Sequence, residues 1–465
     1  MREFDVIVIG SGAGMNVAAR ARAGNLSVAL VEDGPLGGTC LNRGCIPSKV
    51  LIEPATIARE IEDAKRIGVF AKVERMDFEM VRTRMWDLVL RDRKSMERGV
   101  ASDKELGFYP VRSYFIGPKT MQCGSEQIHA PKIIISAGVR TNIPPIPGLE
   151  AAKYQTSETI FDLARLPRRL AIVGGGYKAC EFAHFFSAFG VEVTIIGHNP
   201  LLLPREEPEI SELVRQKMSE IADIRVNQEI SEVKPSSSGK VLVHRDRGGG
   251  EQKEVEVDEI LLATGVRSNA DLLRVTETGV AISPSGYIMI NEFMETSVPG
   301  IWAFGDIIGR NMFRHTANYE ADIVWYNAFG SVKVKLDEHA VPHAVFAYPE
   351  VGSVGMTEAQ AKARGRKYFV GFAPYDSTAK GFAMADEDSF VKVIVDAENM
   401  RILGAHIVGP HASILVQSLV YLMNSGDQTY MPLARSQTIH PALSEVVVNA
   451  FGNLMDPDHH HEHEH

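Results

Sequence analysis

The sequence predicts an α/β protein with two βαβ units and a C-terminal α+β domain. Residues 4–32 have the pattern of a strand, a glycine-rich turn, a helix and a second strand. Residues 169–197 repeat this order. From about His343 the pattern changes to strands such as 391–395 and apolar helical stretches such as 413–423, which are typical of an α+β association domain.

Length and composition agree with this arrangement and exclude several classes of protein. The chain has 465 residues, of which 45% are hydrophobic and 23% are charged, so about three globular domains are expected. A net charge of −10 argues against nucleic acid as a partner. No apolar run reaches the ~18–20 residues that span a membrane. The first strand begins so close to Met1 that a signal peptide has no room, and we expect a cytoplasmic protein.

The first glycine-rich turn is Gly10-Ser-Gly12-Ala-Gly14-Met15. Glycines are needed there because the backbone must approach a pyrophosphate and the free N–H groups at the helix start must point at it. Met15 stands where the pattern has its third glycine, so the helix is expected slightly further from the strand. Glu32 ends the second strand, where a carboxylate accepts hydrogen bonds from a ribose. A solvated surface glutamate is the alternative.

The second turn is Gly174-Gly-Gly176-Tyr-Lys-Ala179. Gly197 ends this unit at the position of the carboxylate that selects NAD, so NAD and NADP both stay open. Further downstream, His198 and Arg205 could meet the 2′-phosphate of NADP. Three other apolar strands end in small-residue turns that let the chain pass close to a cofactor, at 133–138, 260–265 and 300–306.

The chain has four cysteines, and Cys40 and Cys45 are separated by four residues. In a reducing compartment such a pair is more often catalytic or metal-binding than structural. The two thiols can form a small disulfide on the first turns of a helix, whose N-terminus stabilises a thiolate. A structural disulfide and a zinc site are the alternatives, although no second ligand pair at zinc spacing is present.

The segment 37–49, with the sequence GGTCLNRGCIPSK, resembles the redox-active motif of the family that includes dihydrolipoamide dehydrogenase, glutathione reductase and mycothione reductase. His440-Pro-Ala-Leu-Ser-Glu445 resembles the acid/base dyad of the same family. The resemblance covers residues 1 to about 455, with the motifs in the family's order. It implies an FAD-dependent enzyme with two Rossmann-like FAD- and NAD(P)-binding domains plus a C-terminal α+β dimerisation domain.

The resemblance also implies domain boundaries. The segments are the first part of the FAD-binding domain at 1–147, the NAD(P)-binding domain at 148–270, the second part of the FAD-binding and central domain at 271–340, the dimerisation domain at 341–455 and a His-rich tail at 456–465. The tail is low in complexity and is expected to be a disordered native tail or a cloning remnant, with metal binding as the alternative. No other metal site is expected.

By this resemblance, the catalytic residues are Cys40, Cys45, Lys49, Glu181, His440 and Glu445. Cys40 would exchange with the substrate, and Cys45 would be the thiolate beside the flavin. His440, oriented by Glu445, would carry the thiol proton and act on the disulfide of the other subunit, which implies a homodimer. A satisfied structural histidine is the alternative for His440.

The residues expected to bind FAD or the nicotinamide nucleotide are Gly10, Gly12, Gly14, Glu32, Gly38, Thr39, Lys49, Gly138, Gly174, Gly176, Tyr177, Gly197, Gly265, Asp306 and Ala317. The resemblance places Asp306 at the flavin ribitol and makes Tyr177 an aromatic lid that moves when the nicotinamide nucleotide docks. Lys49 would pair with Glu181 beside the flavin, with a surface ion pair as the alternative.

The substrate is expected to be a small-molecule dithiol or disulfide, or a lipoyl-bearing protein. The cysteine and histidine motifs look most like dihydrolipoamide dehydrogenase, and the apolar run 51–58 after the redox motif favours that slim substrate, with NAD as the nucleotide. Reduction of a low-molecular-weight disulfide with NADPH is the alternative. The stretches similar to mycothione reductase are 181–190, 268–273, 315–320 and 440–447.

Two further alternatives are less favoured. Mercuric reductases carry an additional C-terminal cysteine pair, and no cysteine follows Cys180. A non-catalytic flavin-binding component of a complex would be expected to have lost part of the catalytic set, which is complete here.

Two residues depart from the family's pattern or carry an unexpected charge. Lys178 replaces the apolar residue usual after the tyrosine, and its charge is expected either to help bind the pyrophosphate or to reach solvent. Arg43, between the two cysteines, is expected to point outward, with a lowered thiol pKa as the alternative.

Overall fold

The computed structural model describes residues 1–457, so most of the predicted His-rich tail lies outside the described residues. In the first part of the chain the elements are β1 (Arg2–Glu3), β2 (Val6–Ile9), α1 (Gly14–Ala23), β3 (Val28–Val31), α2 (Gly38–Arg43), α3 (Cys45–Asp63), α4 (Phe78–Ser102), β4 (Leu106–Tyr109), β5 (Ser113–Gly117), β6 (Thr120–Cys123), β7 (Glu126–His129), β8 (Lys132–Ile135) and β9 (Val139–Thr141).

The middle of the chain continues with α5 (Leu149–Ala152), β10 (Gln155–Thr156), β11 (Arg169–Val173), α6 (Tyr177–Ala188), β12 (Glu192–Ile196), α7 (Pro208–Ser219), β13 (Asp223–Arg225), β14 (Gln228–Ser236), β15 (Gly239–Asp246), β16 (Lys253–Val257), β17 (Glu259–Leu262), β18 (Val266–Ser268), β19 (Ile301–Ala303) and α8 (Arg314–Phe329). The last part contains β20 (Pro342–Val345), β21 (Val351–Gly355), α9 (Glu358–Ala363), β22 (Tyr368–Pro374), α10 (Ala379–Ala383), β23 (Phe390–Asp396), β24 (Ile402–Val408), α11 (Ala412–Met423), α12 (Met431–Arg435) and α13 (Glu445–Gly452).

The first βαβ unit lies in a parallel sheet with the strand order β19-β8-β2-β3-β4. All four residues of β2 and of β3 are buried, as expected for strands covered on both faces, which are apolar without alternation. Strand β19 comes from far downstream and pairs with β8. The stretch after residue 270 therefore completes the sheet that residue 6 begins.

The second βαβ unit lies in another parallel sheet, with the order β10-β17-β11-β12-β13. An antiparallel sheet of β14, β15 and β16 follows β13. The two strand–turn–helix–strand units expected at 4–32 and 169–197 are thus confirmed.

The C-terminal domain is an antiparallel sheet with the order β20-β21-β24-β23-β22. Helices α11 and α13 pack on it, and every residue of β23 and β24 is buried. This confirms the α+β architecture expected after His343. The exact boundaries of the predicted domains stay predictions.

A buried ion cluster joins this domain to the start of α7. Lys392, in β23, is 1% exposed. Its ammonium lies 3.0 Å from Glu207, 2.7 Å from Glu209 and 2.8 Å from Glu358. Burial alone lowers the pKa of Lys392, but the carboxylates of Glu207 and Glu209 outweigh this effect and raise it.

Within residues 1–457, no helix combines the length and apolar character needed to cross a lipid bilayer.

Candidate active site

The two cysteines of the redox motif lie at the junction of two helices. Cys40 is in the short helix α2, and Cys45 is the first residue of α3. Gly44 separates the two helices, and a Cβ at Gly44 would lie 2.9 Å from the carbonyl oxygen of Thr39. Glycine therefore lets α3 begin close against α2. Both cysteines are free thiols, so the structure describes the dithiol form of the pair.

In the dithiol form the two sulfurs differ in acidity. A hydrogen bond from Cys40 and the charge of Lys49 lower the pKa of Cys45 to about 7, against the opposing effect of burial. The same hydrogen bond, together with burial, raises the pKa of Cys40 well above its ordinary value. The N-terminus of α3 also favours an anion at Cys45. Cys45 is therefore the more acidic thiol, and Cys40 keeps its proton.

Lys49 and Glu181 form an ion pair one helical turn beyond Cys45. The ammonium lies 2.8 Å from both carboxylate oxygens of Glu181. Glu181 also accepts a hydrogen bond of 3.1 Å from the backbone N–H of Phe346. Because Glu181 is only 5% exposed, this is not a surface ion pair.

A cavity of about 460 Å³ connects this pair to the first glycine-rich turn. Its volume lies in the range of small-molecule and cofactor sites, ~300–1,000 Å³. The predicted site residues that line it are Gly10, Gly12, Glu32, Gly38, Thr39, Cys40, Cys45, Lys49, Gly138, Tyr177, Glu181, Asp306 and Ala317. Residues predicted for the adenosine, pyrophosphate and flavin portions of FAD therefore share one cavity.

The backbone of the first turn fits a closely bound pyrophosphate. Gly10 has a φ of +98°, and a Cβ there would lie 2.4 Å from the carbonyl oxygen of Ser136. A Cβ on Gly38 would lie 2.9 Å from the Cα of Gly12. The close approach of helix and strand is made by Gly14, where a Cβ would meet Ser136 Oγ at 2.3 Å. A glycine at position 15, where this chain has Met15, is therefore not needed for this contact.

Glu32 is held in place rather than solvated. Its carboxylate accepts hydrogen bonds from the N–H and hydroxyl of Ser11, at 2.8 and 2.7 Å, and from the N–H of Gly34 at 2.9 Å. It also lines the cavity at the end of β3. A fixed carboxylate with remaining lone pairs fits the ribose role expected from the sequence.

Two carboxyl groups, one half-buried and one buried, follow β19. Asp306 lines the cavity, and burial raises its pKa. Glu320, in α8, is 1% exposed and accepts a hydrogen bond of 2.7 Å from the N–H of Gly305. Burial raises the pKa of Glu320 to about 7. The sequence analysis missed Glu320, because a helix with little separation of apolar and polar residues does not show which position is buried.

In the second glycine-rich turn, the three glycines and Ala179 lie outside this cavity, whereas Tyr177 and Lys178 line it. Gly174 has a φ of +130°, and a Cβ there would lie 2.3 Å from the carbonyl oxygen of Ala263. Tyr177 begins α6, is 42% exposed and lines the cavity. It therefore lines the same cavity as the cysteines, and its role as an aromatic lid stays a prediction. Among the described residues, the predicted site residues that do not line the cavity are Gly14, Gly174, Gly176, Gly197, Gly265, His440 and Glu445.

His440 and Glu445 form the hydrogen bond expected of the dyad. His440 Nδ1 lies 2.8 Å from Glu445 Oε1, and the N–H of Ala442 donates to Glu445 Oε2 at 3.0 Å. The bonds from Ala442 and His440 lower the pKa of Glu445. The side chain of His440 is 73% exposed. Glu445 occupies Nδ1, which leaves Nε2 as the atom for proton transfer to a group on another chain.

The cavity is also lined by Arg43 and Lys178, the two charged residues that the sequence analysis singled out. Arg43 pairs with Glu158 at 3.3 Å, and its side chain is 36% exposed. Lys178 Nζ lies 3.4 Å from Ser157 Oγ. Lys178 lines the cavity that holds the cysteines, and its role in binding the pyrophosphate stays a prediction.

Arg314 is a further cavity residue that the sequence analysis missed. It begins α8, and its NH1 lies 3.8 Å from the position that a Cβ on Gly12 would occupy. Its charge also acts on Cys40, and within residues 1–457 it forms no ion pair. No motif includes position 314, and only the fold brings the start of α8 over the first glycine-rich turn.

We expect Arg314 to hydrogen-bond to bound FAD, and Arg314→Met to weaken FAD binding about 10–100-fold. A hydrogen bond to a charged group contributes ~1.5–3 kcal/mol. The affinity is measured by titrating the apoprotein with FAD and following flavin fluorescence. Arg310→Met is the matched control, since Arg310 is paired with Glu338 at 2.6 Å and does not line the cavity. Equal affinities of Arg314→Met and the parent would rule out the contact with FAD.

Comparison with known proteins identifies the family. Residues 4–321 match the model described as pyridine nucleotide-disulphide oxidoreductase, and residues 341–451 match the dimerisation domain of the same family. The chain is 35% identical to mycothione reductase from Mycobacterium tuberculosis, over 98% of this chain and 100% of that protein. It is 32% identical to dihydrolipoyl dehydrogenase from Chlamydia pneumoniae, over 96% and 95%, and 30% identical to mercuric reductase from Staphylococcus aureus, over 91% and 78%.

A solved structure agrees with these matches. The HOCl-induced flavoprotein disulfide reductase RclA from Escherichia coli superimposes with a TM-score of 0.84 at 28% identity, covering 96% of this chain and 99% of that one. The matched dimerisation domain supports a homodimer. The chain therefore belongs to the pyridine nucleotide-disulphide oxidoreductases, enzymes that use FAD and a nicotinamide nucleotide.

Proposed function

We propose that the protein reduces the disulfide of a bulky, polar low-molecular-weight thiol at the Cys40–Cys45 pair, with electrons from NAD(P)H. The unequal thiol pair, with an acidic Cys45 at the start of α3 and a protonated Cys40 beside it, supports thiol–disulfide exchange in either direction. The observation that carries the substrate class is the likeness to mycothione reductase. The 35% identity to mycothione reductase over 98% of the chain supports this substrate class.

The apolar run that favoured dihydrolipoamide does not support it in the structure. Leu51 and Ile52 are 5% and 6% exposed and belong to a core cluster with residues of α4 and α6. Ala55 and Ala58 are also buried. These side chains face the interior of the protein, so they do not form an apolar entrance to the cysteines.

The cysteines divide the exchange with the substrate between them. FAD, when bound, supplies two-electron exchange between the nicotinamide nucleotide and the cysteine pair. In the dithiol form, Cys40 attacks one sulfur of the substrate, the substrate S–S bond breaks and a mixed disulfide forms. The thiolate of Cys45 then attacks the sulfur of Cys40, which forms the Cys40–Cys45 disulfide and releases the second half of the substrate as a thiolate that takes a proton from solvent.

A base is needed because the pKa of Cys40 is raised. Cys40 must lose its proton before it attacks, and its neighbour Cys45 is already the more acidic group. His440 of the other subunit is the proposed acceptor, with Glu445 holding its ring through Nδ1. The same histidine then donates this proton to the first thiol that leaves the substrate.

Oxidation of dihydrolipoamide by NAD is the second candidate. The cysteine motif favours it, as does the 32% identity to dihydrolipoyl dehydrogenase over 96% of the chain. The chemistry of the pair is the same in the opposite direction. The nucleotide is open for both candidates, because Gly197 supplies no carboxylate to select NAD.

A direct comparison of substrates distinguishes the two candidates. The purified holoenzyme is assayed with the disulfide of mycothiol and with glutathione disulfide, each with NADH and NADPH, and with dihydrolipoamide and NAD or NADP. We expect the highest kcat/KM for a polar disulfide, because a site that hydrogen-bonds such a substrate discriminates strongly against one that lacks those groups. A higher kcat/KM for dihydrolipoamide with NAD would favour the second candidate instead.

Cys40→Ser provides the background for every arm of this assay. The variant lacks the exchange thiol, so any nucleotide consumption that remains is reaction of the flavin with oxygen rather than disulfide turnover. Subtracting this rate leaves only turnover that passes through the cysteine pair.

A further inference from the structure

A residue of the C-terminal domain contacts both partners of the Lys49–Glu181 ion pair. Lys49 lies on α3 and Glu181 on α6, whereas Phe346 directly follows β20 in the dimerisation domain. The ammonium of Lys49 lies 4.7 Å from the centroid of the Phe346 ring. The N–H of Phe346 donates a hydrogen bond of 3.1 Å to Glu181 Oε1. Three segments that are distant in the sequence therefore meet at this ion pair.

The core fixes the backbone that presents Phe346. Its neighbours Val345 and Ala347 are 2% and 5% exposed and belong to the core cluster that also contains residues of α3 and α6. The side chain of Phe346 is partly buried against this cluster. Phe346 does not line the cavity, whereas Lys49 and Glu181 do. An effect of the Phe346 ring on the cavity is therefore expected to pass through the ion pair.

The ring supplies a contact that the carboxylate alone does not. A lysine ammonium is a compact charge at the end of a flexible four-carbon chain, and the side chain of Lys49 is 34% exposed. Glu181 binds this ammonium through both carboxylate oxygens. An aromatic face attracts a cation electrostatically, and the attraction grows when water is excluded. The carboxylate and the ring together restrict the ammonium to one place at the cavity wall.

We propose that Phe346 is a positioning residue that fixes the ammonium of Lys49 at the cavity wall, next to Cys45 on α3 and the expected site of the flavin. The C-terminal domain thereby contributes to the redox site of its own chain, in addition to the role expected of His440 in the other subunit. The proposal rests on the use of FAD by the family. It does not depend on the substrate, because both candidate substrates share the reaction between nucleotide and flavin.

The first readout is the rate at which NAD(P)H reduces the flavin of the holoenzyme, measured by rapid mixing without a disulfide substrate. Phe346→Leu keeps an apolar side chain and the backbone N–H but removes the ring, and Phe346→Tyr keeps the ring. We expect Phe346→Leu to lower this rate about 3–10-fold, as the loss of one cation–π contact at a partly exposed site allows. Phe346→Tyr should remain close to the parent.

The second readout is the acidity of Cys45, which does not require transfer to the flavin. Lys49 follows Cys45 by four residues on the same helix, so the two side chains are neighbours on one face. A Cys40→Ser background leaves Cys45 as the thiol of the pair, and its alkylation by iodoacetamide is followed against pH by mass spectrometry. Because a loosely held ammonium stabilises the thiolate less, Phe346→Leu should move the alkylation midpoint to higher pH.

Two controls separate positioning from packing. Tyr348 belongs to the same segment and also contacts α3 and α6, through a hydrogen bond from its hydroxyl to Asp63 and a ring stacked on His184 at 5.8 Å. Tyr348→Leu should leave both readouts unchanged, because it does not touch the ion pair. In a Lys49→Met background, Phe346→Leu should cause no further loss of flavin reduction, because the ring then has no ammonium to hold.

Three results would overturn the proposal. They are an unchanged value of either readout in Phe346→Leu, an equal change in Tyr348→Leu, and a loss in Phe346→Leu that persists in the Lys49→Met background. FAD content and the far-UV circular dichroism spectrum are compared for all variants. Phe346→Met provides the same comparison if the leucine variant does not fold.

Discussion

Replacing Cys45 by serine is expected to abolish disulfide turnover while leaving FAD bound and reducible by the nicotinamide nucleotide. Cys45 is the more acidic thiol of the pair, with a pKa of about 7, and is proposed to resolve the mixed disulfide. A serine hydroxyl cannot form a disulfide and does not ionise near neutral pH. The cavity walls at the glycine turn and at Glu32 do not change. The flavin should therefore still lose its visible absorbance when the nucleotide is added, with no steady-state turnover.

Cys123→Ser is the matched control for Cys45→Ser. Cys123 is buried in β6, and it does not line the cavity, so this variant should keep its turnover. Loss of flavin from Cys45→Ser, or turnover close to that of the parent, would show that Cys45 does not have the proposed role.

Replacing His440 by glutamine should slow thiol–disulfide exchange ~10²–10⁴-fold, the usual contribution of a positioned acid or base. Glutamine can keep a hydrogen bond to Glu445 but cannot carry a proton. Reduction of the flavin by the nucleotide should stay fast, because that step does not need the dyad. Rapid-mixing measurements of the two half-reactions separate these rates. A defect of equal size in both half-reactions would contradict the role of His440.

Mixed dimers test whether His440 serves the other subunit. The exposed dyad does not line the cavity of its own chain. A dimer of one Cys45→Ser chain and one His440→Gln chain contains one site with both an intact pair and an intact histidine, if the histidine acts across the interface. Such mixtures should recover activity over either parent homodimer. No recovery would place the histidine within its own subunit.

The sequence predicts the site wherever the function depends on backbone shape or on a local motif. Gly10 and Gly174 have positive φ values and leave no room for a Cβ, so a side chain at either position would be strained and in steric conflict. Cys40 and Cys45 are joined by one short segment, which includes the close junction of the two helices at Gly44. These features are local, and a local pattern is enough to find them.

The sequence predicts less where the role depends on which way a side chain points. The run 51–58 is mostly apolar in the sequence, but its helical period turns Leu51 and Ile52 towards the core. Arg314 is a single charge outside every motif, and it reaches the cavity because α8 begins at its wall. Lys178 stands inside the second glycine-rich motif, but the motif does not show that this side chain lines the cavity. Only the packing of distant elements determines these directions.

The buried Lys392 of β23 affects how the protein unfolds. Separating the C-terminal domain from the start of α7 would leave Lys392 without Glu207 and Glu209. Both carboxylates would in turn lose their cation. Losing one partner of a buried ion pair typically costs ~3–5 kcal/mol. Partial opening at this junction therefore costs free energy. We expect the nucleotide-binding and dimerisation domains to unfold in one cooperative transition rather than one after the other.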